Sequence, residues 1–161
     1  MQALRRMAAG GLVSGTEGNA SARAGELVAI SPTGLPYDTL RAEDICLVTG
    51  EGELVEGPEP SVELPMHLAV LAARPDVGAI VHTHSARATA LSLDAERVAG
   101  IPVAEAAPSG SAKLGQAVLA AGRDASAVVV RGHGPVCFGS DLADALACAF
   151  AVERDARLHP N

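Results

Sequence analysis

Apolar positions recur along the 161-residue chain in short runs, each closed by Gly, Pro, Asn, Asp or Ser. Residues 2–13 have helical spacing and end at a polar turn, Gly15-Thr-Glu-Gly-Asn19. Two short strands follow, at Ala20–Arg23 and Leu27–Ile30, before a second turn at Ser31-Pro-Thr-Gly34. Ile45–Val48 and Glu53–Glu56 read as strands joined across a turn. Ser61 is placed to cap a helix reaching about Ala73, with Pro65 tolerated in the first turn and Pro75 beyond the end. Val77–His84 is strand-like, and Ser85–Leu93 and Lys113–Ala121 are helical. Ala127–Val130 is a β-branched strand that Pro135–Phe138 continues after a glycine break. Asp141–Leu158 is the longest helix, with Leu142, Ala145, Leu146, Ala149, Val152 and Ala156 at helical spacing. Strands in runs with helices between them predict an α/β fold, a three-layer α/β/α sandwich around a mixed, largely antiparallel central sheet. With no repeat, linker or low-complexity tract, residues 1–161 are expected to form one domain.

Composition narrows the function classes. Lys and Arg total 12 against 19 Asp and Glu, a net charge of −7. A polyanion binder needs clustered cations, so nucleic acid is not the expected partner. The aromatic fraction is 2%, with no Trp, one Tyr (Tyr37) and two Phe (Phe138, Phe150). Stacking platforms for bases or sugar rings are therefore not expected, and the core must come from Ala, Val, Leu and Ile. Three cysteines without a Cys-x-x-Cys pair suit a reducing compartment. No apolar run reaches the roughly 18 residues of a membrane span. The N-terminal stretch, broken by Gly10 and Gly11, makes a poor signal peptide. The expectation is a cytoplasmic protein with no membrane partner.

Three of the five histidines lie at informative places. His82 and His84 stand two apart in a predicted strand, so their rings share a face and can share one metal ion. His133 lies in Arg131-Gly-His-Gly134, directly after the strand Val128–Val130. Three neutral imidazoles with one open position is the arrangement of a catalytic zinc site, and other divalent transition metals suit the same donors. Taken alone, each motif is also met as solvent-facing histidines on a strand or as an ordinary Gly-His-Gly turn. Glu63 stands four residues before His67, so the two share a helix face. A carboxylate there is either a ligand or base near a metal or an ordinary first-turn acid, and His67 reads as a structural partner rather than a ligand. Gly15–Asn19 and Ser31–Gly34 offer amides and hydroxyls that can nest a phosphate, and Ser61 at a helix N-terminus can add a donor. Glu17, in the first turn, would repel an anion if it pointed inward. No Gly-x-Ser-x-Gly elbow, dinucleotide fingerprint or Walker pattern is present. Cys137 and Cys148 sit in apolar surroundings that disfavour a thiolate.

Taken in order, five segments resemble the class II aldolase/adducin family, and within it the fuculose-phosphate-aldolase-like enzymes. They are Gly11-Leu-Val-Ser-Gly-Thr-Glu-Gly-Asn-Ala-Ser-Ala-Arg23, Ile30-Ser-Pro-Thr-Gly-Leu-Pro-Tyr37, Pro60-Ser-Val-Glu-Leu-Pro-Met-His67, Arg74-Pro-Asp-Val-Gly-Ala-Ile-Val-His-Thr-His-Ser85 and Arg131-Gly-His-Gly134. The resemblance covers nearly the whole chain. It implies the α/β/α fold and a homotetramer with active sites at subunit interfaces. It implies a divalent ion, commonly Zn2+, on His82, His84 and His133. Glu63 would be the acid/base, and a fourth ligand in some resting states, while Thr16, Asn19, Thr33, Gly34 and Ser61 would hold a substrate phosphate. The implied activity is cleavage of a small ketose 1-phosphate, such as L-fuculose 1-phosphate, to dihydroxyacetone phosphate and an aldehyde through a metal-stabilised enediolate. An epimerase or dehydratase of the same superfamily is the alternative, and a non-catalytic adducin-like interaction domain ranks last. This chain carries Val62 where family aldolases often have a second serine, and Lys113, its one lysine, lies outside every matched segment.

Overall fold

The computed structural model describes residues 1–158. Nine strands form one sheet: β1 (Asn19–Ala24), β2 (Leu27–Ile30), β3 (Cys46–Val48), β4 (Leu54–Glu56), β5 (Ala79–His82), β6 (Arg97–Val98), β7 (Ile101–Ala104), β8 (Ala127–Val130) and β9 (Gly134–Gly139). Their spatial order is β4-β3-β2-β1-β5-β9-β8-β7-β6. Every pairing is antiparallel except β7 with β8.

Strand alternation splits the core in two. On β5 and β8, Ala79, Val81, Ala127 and Val129 face one side, whereas Ile80, Val128 and Val130 face the other. Helices α1 (Gln2–Ala9), α3 (Ala86–Leu91) and α5 (Leu142–Leu158) cover the first face. Helices α2 (Leu64–Ala73) and α4 (Ala112–Gly122) cover the second. The result is the expected three-layer sandwich with both sheet faces buried. Small residues let the layers approach closely without aromatic filler: Ala145, Ala149 and Ala156 seat α5 on the sheet. The chain's one tyrosine serves as a tether, since Tyr37 is buried and its hydroxyl donates to the Gly18 carbonyl at 2.5 Å.

Some boundaries differ from the sequence expectation. The first helix stops at Ala9 rather than residue 13, where Gly10 packs against the Phe150 ring. The helix expected from Ser61 starts at Leu64 with Glu63 at its N-cap. Ser61 belongs to the turn before it, where its Oγ accepts from the Glu63 N–H and its carbonyl accepts from the Leu64 N–H. The β6–β7 hairpin was not expected, because Pro102 lies in a run that otherwise reads as a break.

Two anchors matter for the site. The Glu153 carboxylate on α5 is 4% exposed and accepts from the Arg87 and Ala88 amides at 3.2 and 3.0 Å, capping α3. It also accepts from Arg157 Nε at 3.0 Å. Gly134 has φ +147°, and a Cβ there would lie 2.0 Å from the Thr83 carbonyl, so only glycine fits between β5 and β9 at this point.

Candidate metal centre

The site gathers at the ends of three neighbouring central strands. Asn19 opens β1 and pairs in register with His82, which closes β5; His82 in turn pairs with Val136 on β9. The regular strand ends at His82, two residues earlier than expected, but the Thr83 amide still donates to the Pro135 carbonyl. The backbone therefore stays extended, and His84 returns to the same side as His82. Their Nε2 atoms lie 3.2 Å apart. His133 arrives from the tight turn between β8 and β9, closed by its own N–H to the Val130 carbonyl. That turn is fastened to the segment after α3: Gly132 donates to Ser92 Oγ at 2.9 Å, and the Arg131 guanidinium donates to the Ser92, Leu93 and Ala95 carbonyls. The His133 Nε2 comes within 3.3 Å of the His82 Nε2.

Glu63 completes the group from the N-cap of α2. Its Oε2 is 3.1 Å from the His82 Nε2 and its Oε1 is 3.4 Å from the His133 Nε2. One ligand atom from each of Glu63, His82, His84 and His133 lies within 4.8 Å of all the others. The hydrogen bonds test whether a cation fits. The His82 Nδ1 faces the Pro135 carbonyl at 2.9 Å, and a carbonyl only accepts, so Nδ1 carries the proton. In the neutral ring Nε2 then presents a bare lone pair to a carboxylate and to two more imidazole nitrogens. Such a convergence of electron-rich atoms calls for a cation. Tetrahedral ligand atoms about 2.1 Å from one centre sit roughly 3.4 Å apart, near the spacings observed.

The ionisation states agree. Burial, with the neighbouring His82 and His133, pushes His84 down to about 4. Burial and His82 lower His133 as well. Both rings are thus held in the neutral, ligating form. Burial alone would raise the Glu63 carboxyl, but the hydrogen bonds donated by Asn19 and Ser109 favour its ionised form, and it is held below the usual carboxylate range.

Thr16, Asn19, Thr33, Gly34 and Ser61 all line one cleft, together with Glu63, His84 and His133. Its shape is set by cross-links between residues 31–33 and residues 59–61. Pro32 bridges Pro60, the Thr33 amide donates to the Glu59 carbonyl, and the Ser61 amide donates to the Ser31 carbonyl. Thr33 therefore offers its hydroxyl rather than its N–H. Tyr37 steadies the first turn through Gly18, and burial raises its phenol to about 12, so it stays protonated. Among the described residues lining this cleft there is no Lys or Arg, and Glu17 stands at its rim with Oε2 3.9 Å from the His84 Nδ1. Ser109, on the loop after β7, was missed from the sequence. Its hydroxyl donates to Glu63 Oε1 at 2.7 Å, and only the fold brings Pro108-Ser-Gly110 to the site.

Comparison with known proteins bears on the same residues. Residues 1–159 match the family described as the class II aldolase and adducin N-terminal domain. The L-fuculose phosphate aldolase of Escherichia coli (strain K12) is 34% identical over 161 residues, covering 92% of this chain and 75% of that protein. The 5-methylthioribulose-1-phosphate/5-deoxyribulose-1-phosphate aldolase of Rhodospirillum rubrum is 36% identical over 165 residues, covering 95% and 75%. A solved L-fuculose 1-phosphate aldolase superposes with a TM-score of 0.89 at 29% identity, covering 98% of this chain and 81% of that one. The chain belongs to the class II aldolase and adducin N-terminal domain family.

Proposed function

We propose that this protein is a zinc-dependent aldolase that cleaves a small ketose 1-phosphate into dihydroxyacetone phosphate and an aldehyde. The observation that carries the reading is the convergence of three imidazoles on the buried Glu63 carboxylate at one wall of a cleft whose other wall offers only neutral donors. Two relatives are named for ketose 1-phosphates, L-fuculose phosphate and 5-methylthioribulose-1-phosphate, which supports that substrate class.

A divalent cation on His82, His84 and His133 supplies the electrophile that stabilises negative charge beside the ketone as the C–C bond breaks. The rest is the work of this chain's side chains. Glu63 moves the proton at the carbon next to the carbonyl, taking it in the aldol-forming direction and returning it on cleavage. Its donors keep it ionised at rest, and it becomes a better base once substrate displaces one of them. The hydroxyls of Thr16, Thr33 and Ser61, the Gly34 amide and the Asn19 side chain hold the phosphate. No lysine is required, consistent with a route that forms no Schiff base.

The test is a panel of ketose 1-phosphates with zinc-loaded protein, coupling dihydroxyacetone phosphate to NADH oxidation, with Glu63→Gln beside it. Turnover of at least one ketose 1-phosphate is expected, lowered about 10²–10⁴-fold in the variant. No cleavage of any member by protein holding one zinc per chain would remove the aldolase reading. Equal turnover in Glu63→Gln would remove this residue as the base.

A further inference from the structure

Behind the cleft lies a line of four buried polar side chains that the reaction above does not use in full. Ser21, His67, Asn19 and Glu63 are all 4% exposed or less. Asn19 and Ser21 are two apart on β1 and so point to one face, and His67 sits above them one turn into α2. Ser21 Oγ is 2.7 Å from His67 Nδ1, His67 Nε2 is 2.5 Å from Asn19 Oδ1, and Asn19 Nδ2 is 2.8 Å from Glu63 Oε2.

The protons on this line are determined by one end. The ionised Glu63 carboxylate only accepts, so the Asn19 amide must turn its NH₂ toward it. The Asn19 Oδ1 then faces His67, and a carbonyl oxygen needs a donor, so His67 Nε2 carries its ring proton. A neutral imidazole has one such proton. His67 Nδ1 is therefore an acceptor, and the Ser21 hydroxyl donates to it. The line runs one way, Ser21 to His67 to Asn19 to Glu63, with no polar atom left over.

We propose that His67 is a positioning residue that locks the Asn19 side-chain amide in a single orientation, its NH₂ toward Glu63 and the cleft. Without it Glu63 alone orients the amide, and the buried Asn19 oxygen is left without a donor, so the amide is held less firmly when a substrate oxyanion competes for its N–H groups. The amide has two N–H groups; Glu63 takes one, and the second is available to an anionic oxygen in the cleft that Asn19 lines. Held this way, Asn19 discriminates for an oxyanion and against a cationic or hydroxyl donor. His67 does not line the cleft, so it acts through Asn19 alone. This rests on the phosphate-binding side of the proposed function and deepens it.

Two measurements on the zinc-loaded full chain test it. Long-range nitrogen–proton correlation spectra of the wild type read the tautomer directly. The His67 Nε2–H form with Nδ1 accepting is expected, and an Nδ1–H form would overturn the inference whatever the activity. The second is inorganic phosphate binding by calorimetry to His67→Gln and His67→Asn, each checked for zinc content and melting temperature. A glutamine amide reaches the Nε2 position and keeps the donor to Asn19, whereas an asparagine amide reaches only the Nδ1 position. Phosphate affinity within about threefold of wild type is expected for glutamine and a loss of at least about tenfold for asparagine, the effect of one buried hydrogen bond. Equal losses in both variants would reduce His67 to a packing role. Neither measurement needs turnover, so an inactive protein with the expected tautomer and the glutamine–asparagine split would refute the aldolase reading alone.

Discussion

Replacing Glu153 by alanine probes how the scaffold supports the candidate metal ligands. The carboxylate is the acceptor for two amides at the start of α3, and Ala88 is fully buried while Arg87 is half-buried. A buried amide left without a partner costs about 1–3 kcal/mol. The Ala88 N–H bears that penalty in full, and water partly relieves the Arg87 N–H. The Arg157 contact adds little, because its side chain is 64% exposed and a solvated ion pair is worth about 0–1 kcal/mol. Glu153→Ala should therefore destabilise by about 2–4 kcal/mol, and melting should fall by about 5–15 °C at this chain length. Glu153→Gln should be milder, since its oxygen serves one amide while its NH₂ opposes the other. Arg157→Ala should change stability by less than about 1 kcal/mol. Urea unfolding followed by circular dichroism measures all three. A Glu153→Ala shift below about 0.5 kcal/mol, or an Arg157→Ala loss as large as that of Glu153→Ala, refutes the capping argument. There is also a local readout. Helix α3 begins two residues after His84, so loss of its cap should speed release of a bound metal ion to a chelator even where the protein stays folded.

Gly134→Ala places a Cβ 2.0 Å from the Thr83 carbonyl at a backbone angle that side chains avoid. It should cost about 3–5 kcal/mol and lower the metal content of the protein, while Gly50→Ala, with nothing within 4 Å, should be near neutral. Acid should destabilise the metal-free protein. Burial lowers His67 from its ordinary 6.5 to about 3, so the unfolded chain takes up the proton first as pH falls. Stability due to His67 is complete above pH 6.5 and is lost by about 1.4 kcal/mol per pH unit below it. Glu63, held low in the folded state, adds a loss of the same sign below 4.5. Urea midpoints from pH 8 to 4.5 should show this fall, made shallower by His67→Gln; a flat profile contradicts the neutral buried ring.

Much of this architecture could be read from one-dimensional pattern. Ala127–Val130 is β-branched and short, and it is a strand with those same ends. The helix expected at Asp141–Leu158 starts one residue later, at Leu142. The spacing of His82 and His84 was enough to expect two rings on one face, because strand periodicity is local and strict, whereas His133 was joined to them only through the resemblance to the family. What could not be read depends on contacts far apart in sequence. Glu153 looks like any acid on an amphipathic helix until α3 docks its amides onto it, 65 residues away. Ser109 has no motif at all, and its bond to Glu63 spans 46 residues. Ser61 looked like a helix cap because its type suits one, but the bridge from Pro32 to Pro60 bends the chain and moves the helix start to Leu64. Asn19 was expected to serve a phosphate, and the fold engages both ends of its amide with His67 and Glu63.

The three rings are not equivalent in their freedom to move. The His82 side chain is wholly enclosed and pinned through Nδ1 to β9, whereas those of His84 and His133 remain 26% and 18% exposed. The centre thus has one fixed jaw and two hinged ones. An ion held by these residues would be reached from the cleft side, which His84 and His133 line and His82 does not. Exchange kinetics should then follow substitutions around His84 and His133, while equilibrium affinity follows those around His82.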